Sequence, residues 1–311
     1  MPDLRRIDVH HHLVPPGYPE WLRSQGHREE GPPLPSWSVE EALAVMDRHD
    51  IAASLLSLSG PGVHLGDDEQ ARAQARQVND YTAEVVAGNP DRFGFFATLT
   101  LPDVPGAVAE ATRALDDLHA DGVILLTNVG GRYLGDEAFA PLFAELDSRA
   151  ATVFVHPTDV PGPGAPNVPP VAVDYPFETT RAAVSLAMNG ALENYPNIKF
   201  ILPHGGGFLP YQAYRIAPVI ARGGDPMAAL EQLRRFYFDT GLCGPTTLPS
   251  LLGFAAADRL MYGSDWPYAP EFAIELFDSL TEAYPMAADQ RDRLARQNAA
   301  ALFPRLSAQA G

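Results

Sequence analysis

Short, nearly continuous apolar runs recur eight times along the 311 residues, and segments of helical periodicity separate them. The runs are Ile7–Val9, Ile51–Leu58, Phe93–Leu99, Gly122–Leu126, Thr152–Val155, Ile198–Leu202, Phe236–Asp239 and Leu260–Tyr262. A strand that is apolar at almost every position is covered on both faces, as happens in parallel sheets flanked by helices. Between the runs, Val108, Ala111, Leu115 and Leu118, or Phe139, Leu142, Phe143 and Leu146, form stripes at spacings of three and four. Eight strand–helix units of this kind predict an α/β protein with a closed (β/α)8 TIM barrel. No GxGxxG turn follows the first run to favour an open doubly wound sheet. With 46% hydrophobic residues the chain can fill such a core as one domain, residues 1–311, with a helix around Ala287–Leu302 covering an end.

Two connections are long, residues 14–38 after the first strand and 157–176 after the fifth. The second reads PTDVPGPGAPNVPPVAVDYP, too rich in Pro and Gly for regular structure. Both begin where a strand ends, which in a barrel is the catalytic face, so both are expected to be loops over an active site.

The formal charge of −17 comes from 39 acidic and 22 basic residues with no basic run, which excludes a nucleic acid or an anionic membrane as the expected partner. A small anion is still admissible where a metal ion and a few arginines make a cleft locally positive. The single Cys243 allows no disulfide framework, and neither a secretory segment nor a membrane span is apparent, so a cytoplasmic location is expected.

Chemistry-bearing side chains gather where the predicted strands stop. In RIDVHHH, strand alternation places Asp8, His10 and His12 on one side and Ile7, Val9 and His11 on the other. The apolar pair is expected to face the helices, leaving His10 and His12 inside the barrel, about 6–7 Å apart along the backbone. His156 in FVHPTD, His204 in ILPHGGG and Asp265 in LMYGSDWP each follow an apolar run. A lone histidine after a strand is ordinarily a hydrogen-bonded loop residue, and an aspartate before Trp-Pro can be a turn or cap residue. Several such strand ends together predict convergence at the barrel mouth. Imidazole nitrogens with one carboxylate suit zinc, manganese or iron at an open catalytic site. HGGG is compatible with a tight turn and with close backbone approach to a substrate oxygen.

The ordered segments DVHHH, FVHPTD, YPFETTRAA, NIKFILPHGGGFLPYQAYRI, FYFDTGLCGP and YGSDWP resemble the amidohydrolase-related (amidohydrolase 2) decarboxylases. Within them the chain is most similar to the aminocarboxymuconate-semialdehyde decarboxylases and to the 6-methylsalicylate and γ-resorcylate decarboxylases. Nearly the whole chain is covered. The resemblance implies His10, His12, His156 and Asp265 as ligands of one divalent ion, zinc being expected and manganese the alternative, with no organic cofactor. It makes His204 a general acid/base. Arg215 matches an arginine that reaches a carboxylate across a homodimer interface in the semialdehyde-decarboxylase relatives; a surface helix arginine is the other reading. Arg23 and Arg28 are weaker candidates for carboxylate binding. The fourth strand ends GVILLTNVGG, without a lysine or glutamate to bridge two ions, so a mononuclear site is expected.

These features predict a metal-dependent, non-oxidative decarboxylase of a small aromatic or unsaturated carboxylic acid, of hydroxybenzoate or carboxymuconate-semialdehyde type, with Asp265 and His204 catalytic. A metal-dependent hydrolase of a lactone or amide, or a hydratase, is the alternative. A binding protein with a structural metal fits less well, because structural sites close around four ligands from compact motifs.

Overall fold

The computed structural model describes residues 5–26, 34–162 and 164–307. Eight parallel strands follow one another around a barrel in chain order: β1 (Arg6–His12), β2 (Ile51–Ser57), β3 (Phe93–Thr98), β4 (Gly122–Leu126), β5 (Thr152–His156), β6 (Lys199–Leu202), β7 (Tyr237–Asp239) and β8 (Leu260–Met261). The ring closes where the end of β8 meets β1, through parallel bridges Asp8–Tyr262 and His11–Trp266. Across this seam the Val9 N–H donates to the Tyr262 carbonyl at 3.0 Å and the His12 N–H to the Trp266 carbonyl at 2.7 Å.

Two apolar layers result. Phe95, Val123, Leu125, Val153, Val155, Phe200 and Leu202 face outward and pack with the helices. Inside, Ile7, Val9, Ala53, Leu55, Phe96, Ile124, Phe154, Ile201 and Met261 form a separate cluster that Ala299, Phe303 and Leu306 close from below. Phe96 stacks on Phe154 at 5.3 Å and meets Phe303 at 5.8 Å, so the C-terminal segment covers the barrel floor.

Ile7 and Val9 therefore face the interior, not the helices, which corrects the simple alternation expected for RIDVHHH. The reason is a register shift: Asp8 pairs with Ser54 and His11 with Leu56, so Val9 and His10 together span what Leu55 spans alone. After this bulge His10 and His12 still point inward, whereas Asp8 turns away with His11. Asp8 is fully buried. Its carboxylate accepts from the His10 and Ser264 backbone N–H groups, each at 3.0 Å, and from the Ser264 hydroxyl at 2.6 Å, tying β1 to the segment after β8.

The helices carry ordinary start signals. Ser38 accepts from the Glu41 N–H at 3.1 Å and Asp67 from the Gln70 N–H at 2.9 Å, each supplying an N-terminal donor with a side-chain acceptor. The 157–176 connection differs from the fully irregular loop expected: a helix begins at Pro170 and runs to Met188. Proline is compatible with a first turn because the N–H it lacks has no intrahelical acceptor there. The 14–38 connection contains a short helix, Tyr18–Ser24. Tyr18 and Leu22 pack with Val14, Leu58, Val63, Ala75 and Val78 in a satellite cluster beside the end of β2. Among the described residues no helix is long and apolar enough to cross a membrane.

Asp8→Ala is expected to leave the Ser264 and His10 donors buried without an acceptor and to lower stability by about 2–4 kcal/mol in denaturant melts.

Candidate metal centre

His10 and His12 come from the end of β1, His156 from the end of β5, and Asp265 from the loop after β8, where its backbone N–H donates to the His10 carbonyl at 2.8 Å. One ligand atom from each of these four residues lies within 4.8 Å of the others. His10 Nε2 and His12 Nε2 are 3.1 Å apart, and Asp265 Oδ1 is 3.1 Å from the first and 3.3 Å from the second. His10 and His12 are wholly sealed from solvent, standing beside Phe154, whose ring centre is 4.9 Å from that of His10.

The outer ring nitrogens decide what the inner ones can do. Nδ1 of His10 lies 2.9 Å from Asp239 Oδ2, that of His12 lies 3.2 Å from the Ser57 carbonyl, and that of His156 lies 2.8 Å from the Pro157 carbonyl. Carbonyl and carboxylate oxygens accept, so each Nδ1 carries the proton and each Nε2 turns a lone pair toward the common centre. His156 Nε2 is buried with no hydrogen-bond partner among the described residues. Two imidazole lone pairs 3.1 Å apart repel unless a proton or a metal cation sits between them.

The electrostatics agree. Burial opposes protonation of His10, yet Asp239 and Asp265 push it up to about 10. Burial lowers His12, and burial together with His12 and His10 holds His156 well below the usual imidazole range. Burial also opposes ionisation of Asp265, but His10, aided by His12 and His204, holds its carboxyl well below the usual carboxylate range. An ionised Asp265, neutral His12 and His156, and a His10 that its carboxylate neighbours draw toward the cationic form together mark a point that favours positive charge. This donor set fits one divalent ion, and its mixture of nitrogen and oxygen suits zinc or manganese.

His204 stands just outside. Its Nε2 is 3.2 Å from Asp265 Oδ2, the oxygen that does not face His10, and its Nδ1 is buried without a partner among the described residues. Residues 205–207 all have positive φ, and a Cβ on Gly207 would lie 2.0 Å from the Pro176 carbonyl oxygen. The HGGG run is therefore at least a tight turn that only glycine can make, passing under the helix Pro170–Met188. Gly263 has a different reason: a Cβ there would come within 2.8 Å of the His10 Cβ.

Two carboxylates escaped sequence reasoning. Asp239, at the end of β7, contacts His10 Nδ1 and accepts through Oδ1 from the His204 N–H at 2.9 Å and the Gly241 N–H at 2.8 Å, so it holds both histidines at once. Its strand-end position in FDTG was the available signal. Glu178, fully buried, accepts from Asn128 Nδ2 at 2.7 Å and from the Tyr133 hydroxyl at 2.6 Å. Those bonds pin the antiparallel ribbon Asn128–Val129 and Arg132–Tyr133 to the helix Pro170–Met188. Mid-helix placement gave no signal for it.

The arginines fare differently. Arg23 is exposed and pairs with Glu20 at 2.7 Å on the helix Tyr18–Ser24. Arg28 lies outside the described residues. Arg215 is exposed on the outer helix Leu209–Ala221, between Tyr214 and Ile216, and makes no ion pair with the cluster of its own chain among the described residues. His49, Glu271 and Glu275 form another acidic grouping, but Arg48 already neutralises Glu271 there.

The amidohydrolase family profile matches residues 7–305. The chain belongs to the amidohydrolase family. It is 42% identical to the decarboxylase yanB of Aspergillus niger, over 96% of this chain and 88% of that one. It is 38% identical to a 6-methylsalicylic acid decarboxylase of Penicillium expansum, over 97% of each. A crystal structure described as an amidohydrolase II superposes with a TM-score of 0.89 at 31% identity, covering 96% of this chain and 99% of that one. The amidohydrolase relationship expected from the six segments is confirmed, and the chain is a carboxy-lyase of this superfamily.

Asp239→Asn is expected to weaken divalent-metal affinity about 10–100-fold, measured by competition with a chromophoric chelator, because the His10 tautomer loses its anionic partner.

Proposed function

We propose that this enzyme removes carbon dioxide, without oxidation, from a hydroxylated aromatic monocarboxylic acid, using one divalent ion held by His10, His12, His156 and Asp265. The observation that carries this reading is Asp265, whose Oδ1 faces two histidine Nε2 atoms while its Oδ2 faces His204. Relatives named for 6-methylsalicylate and γ-resorcylate decarboxylation support the substrate class.

When bound, the ion supplies a Lewis-acidic anchor for the substrate carboxylate and an adjacent oxygen. The protein's own groups move the proton. A carboxyl that its surroundings hold far below the usual range is a strong acid once protonated, and His204 at 3.2 Å is the group that relays a proton to it. Asp265 then protonates the ring carbon bearing the carboxylate, the C–C bond breaks, carbon dioxide leaves, and the bond's electron pair restores the aromatic ring.

The helix Leu209–Ala221 exposes Tyr211 by 75% and Tyr214 by 68% beside Arg215, an aromatic stripe that supports self-association as a homodimer through this face.

The test is a panel of hydroxybenzoates and carboxymuconate-type acids assayed for carbon dioxide release by the metal-loaded enzyme. One equivalent of gas per substrate consumed is expected; a ring-opened acid without gas would instead indicate hydrolysis. Removing the metal with a chelator is expected to abolish turnover, and full activity after verified removal overturns the ligand assignment. Asp265→Asn should lower kcat by at least about 100-fold while much of the metal stays bound, which metal analysis checks.

A further inference from the structure

Tyr268 lies three residues after Asp265, and its ring meets that of His12 edge to face at 5.2 Å. Its hydroxyl oxygen is sealed from solvent and makes no hydrogen bond of good geometry among the described residues, although the Ser59 hydroxyl stands close enough to interact with it. Ser59 and Tyr175 are its hydroxyl-bearing neighbours, and Asp265 is close enough to act on it electrostatically. Tyr175 differs, since its hydroxyl reaches Asp159 Oδ1 at 3.5 Å. Buried hydroxyls are almost always satisfied, so an orphan at the edge of a ligand cluster points to a partner that arrives with the substrate. A tyrosine phenol keeps its proton at neutral pH, so the group acts as a donor.

We propose that Tyr268 is a specificity-determining residue: its hydroxyl donates to a substrate oxygen adjacent to the carboxylate, such as the phenolic oxygen of a 2-hydroxybenzoate. This inference rests on the functional reading above and narrows it. With the carboxylate held in front of His10, His12 and His156, an adjacent oxygen turned toward His12 and Ser59 would meet the Tyr268 hydroxyl. A site with a buried donor rejects an analogue that lacks the matching acceptor, because the donor is then left unpaired.

Calorimetric titration of the metal-loaded enzyme with 2-hydroxybenzoate and with benzoate tests the role. Wild-type enzyme is expected to prefer the hydroxylated acid, and Tyr268→Phe to reduce the ratio of the two dissociation constants about ten-fold. Metal content of the variant should equal that of wild type. Its melting temperature without ligand should be no lower, because the change removes an unpaired group. A preference that survives Tyr268→Phe undiminished in the folded, metal-loaded variant overturns the role of the hydroxyl alone. Wild-type enzyme that binds neither acid, and releases no carbon dioxide from any member of the panel, overturns the functional reading itself.

Discussion

The seam between the first and last strands is the constraint on which the rest depends. Asp8 fastens it from one side by accepting from His10 and Ser264, and the Asp265 N–H fastens it from the other by donating to the His10 carbonyl. The contacts through Ser264 and Asp265 join residues more than 250 positions apart and bring Asp265 Oδ1 within 3.1 Å of His10 Nε2. The seam therefore both closes the sheet and assembles the ligand set. An error of one residue in its register would turn His10 and His12 away from Asp265.

Around that seam the carboxylates divide the labour. Asp239 orients His10 and His204 from behind, Asp265 meets both from the front, and Glu178 ties down the antiparallel ribbon that follows β4 without joining the cluster. Each is buried, and each is compensated by donors or imidazoles at hydrogen-bond distance, which is the condition for keeping charge inside a protein. Among the buried side-chain atoms without a hydrogen-bond partner in the described residues are His156 Nε2, His204 Nδ1 and the Tyr268 hydroxyl. A polar chamber with unmet donors and acceptors, set on an aromatic floor, suits a flat acid with an apolar body and a polar edge.

The barrel was legible in the sequence because each strand is covered on both faces, so hydrophobicity marked its position directly. Boundaries of β4 coincide with the apolar run, and the others differ from theirs by a few residues. The inward direction of His10 and His12 was also legible, but for a reason that proved wrong. An inserted residue between Asp8 and His11 breaks the alternation, and no composition signal announces a bulge. Pro170 was read as a loop residue because proline disfavours helix interiors, whereas it sits in a first turn. Asp239 carries the same strand-end signal as His156. Tyr268, one tyrosine among 11, became distinct only when its unpaired hydroxyl was located in space. Arg23 and Arg215 lie on helices, where no strand end fixes a direction.

The floor of the barrel has a consequence for biogenesis. Phe303 and Leu306 plug the interior from the last described turn of the chain, and β8 joins β1 only once residue 260 and beyond are available. During synthesis, His10 and His12 emerge early and wait, with their partners His156 and Asp265 still unmade. Contacts this distant in sequence make closure late and slow. No nascent fragment that stops short of Asp265 holds all four candidate ligands, so the cluster is assembled near the end of synthesis rather than at its beginning.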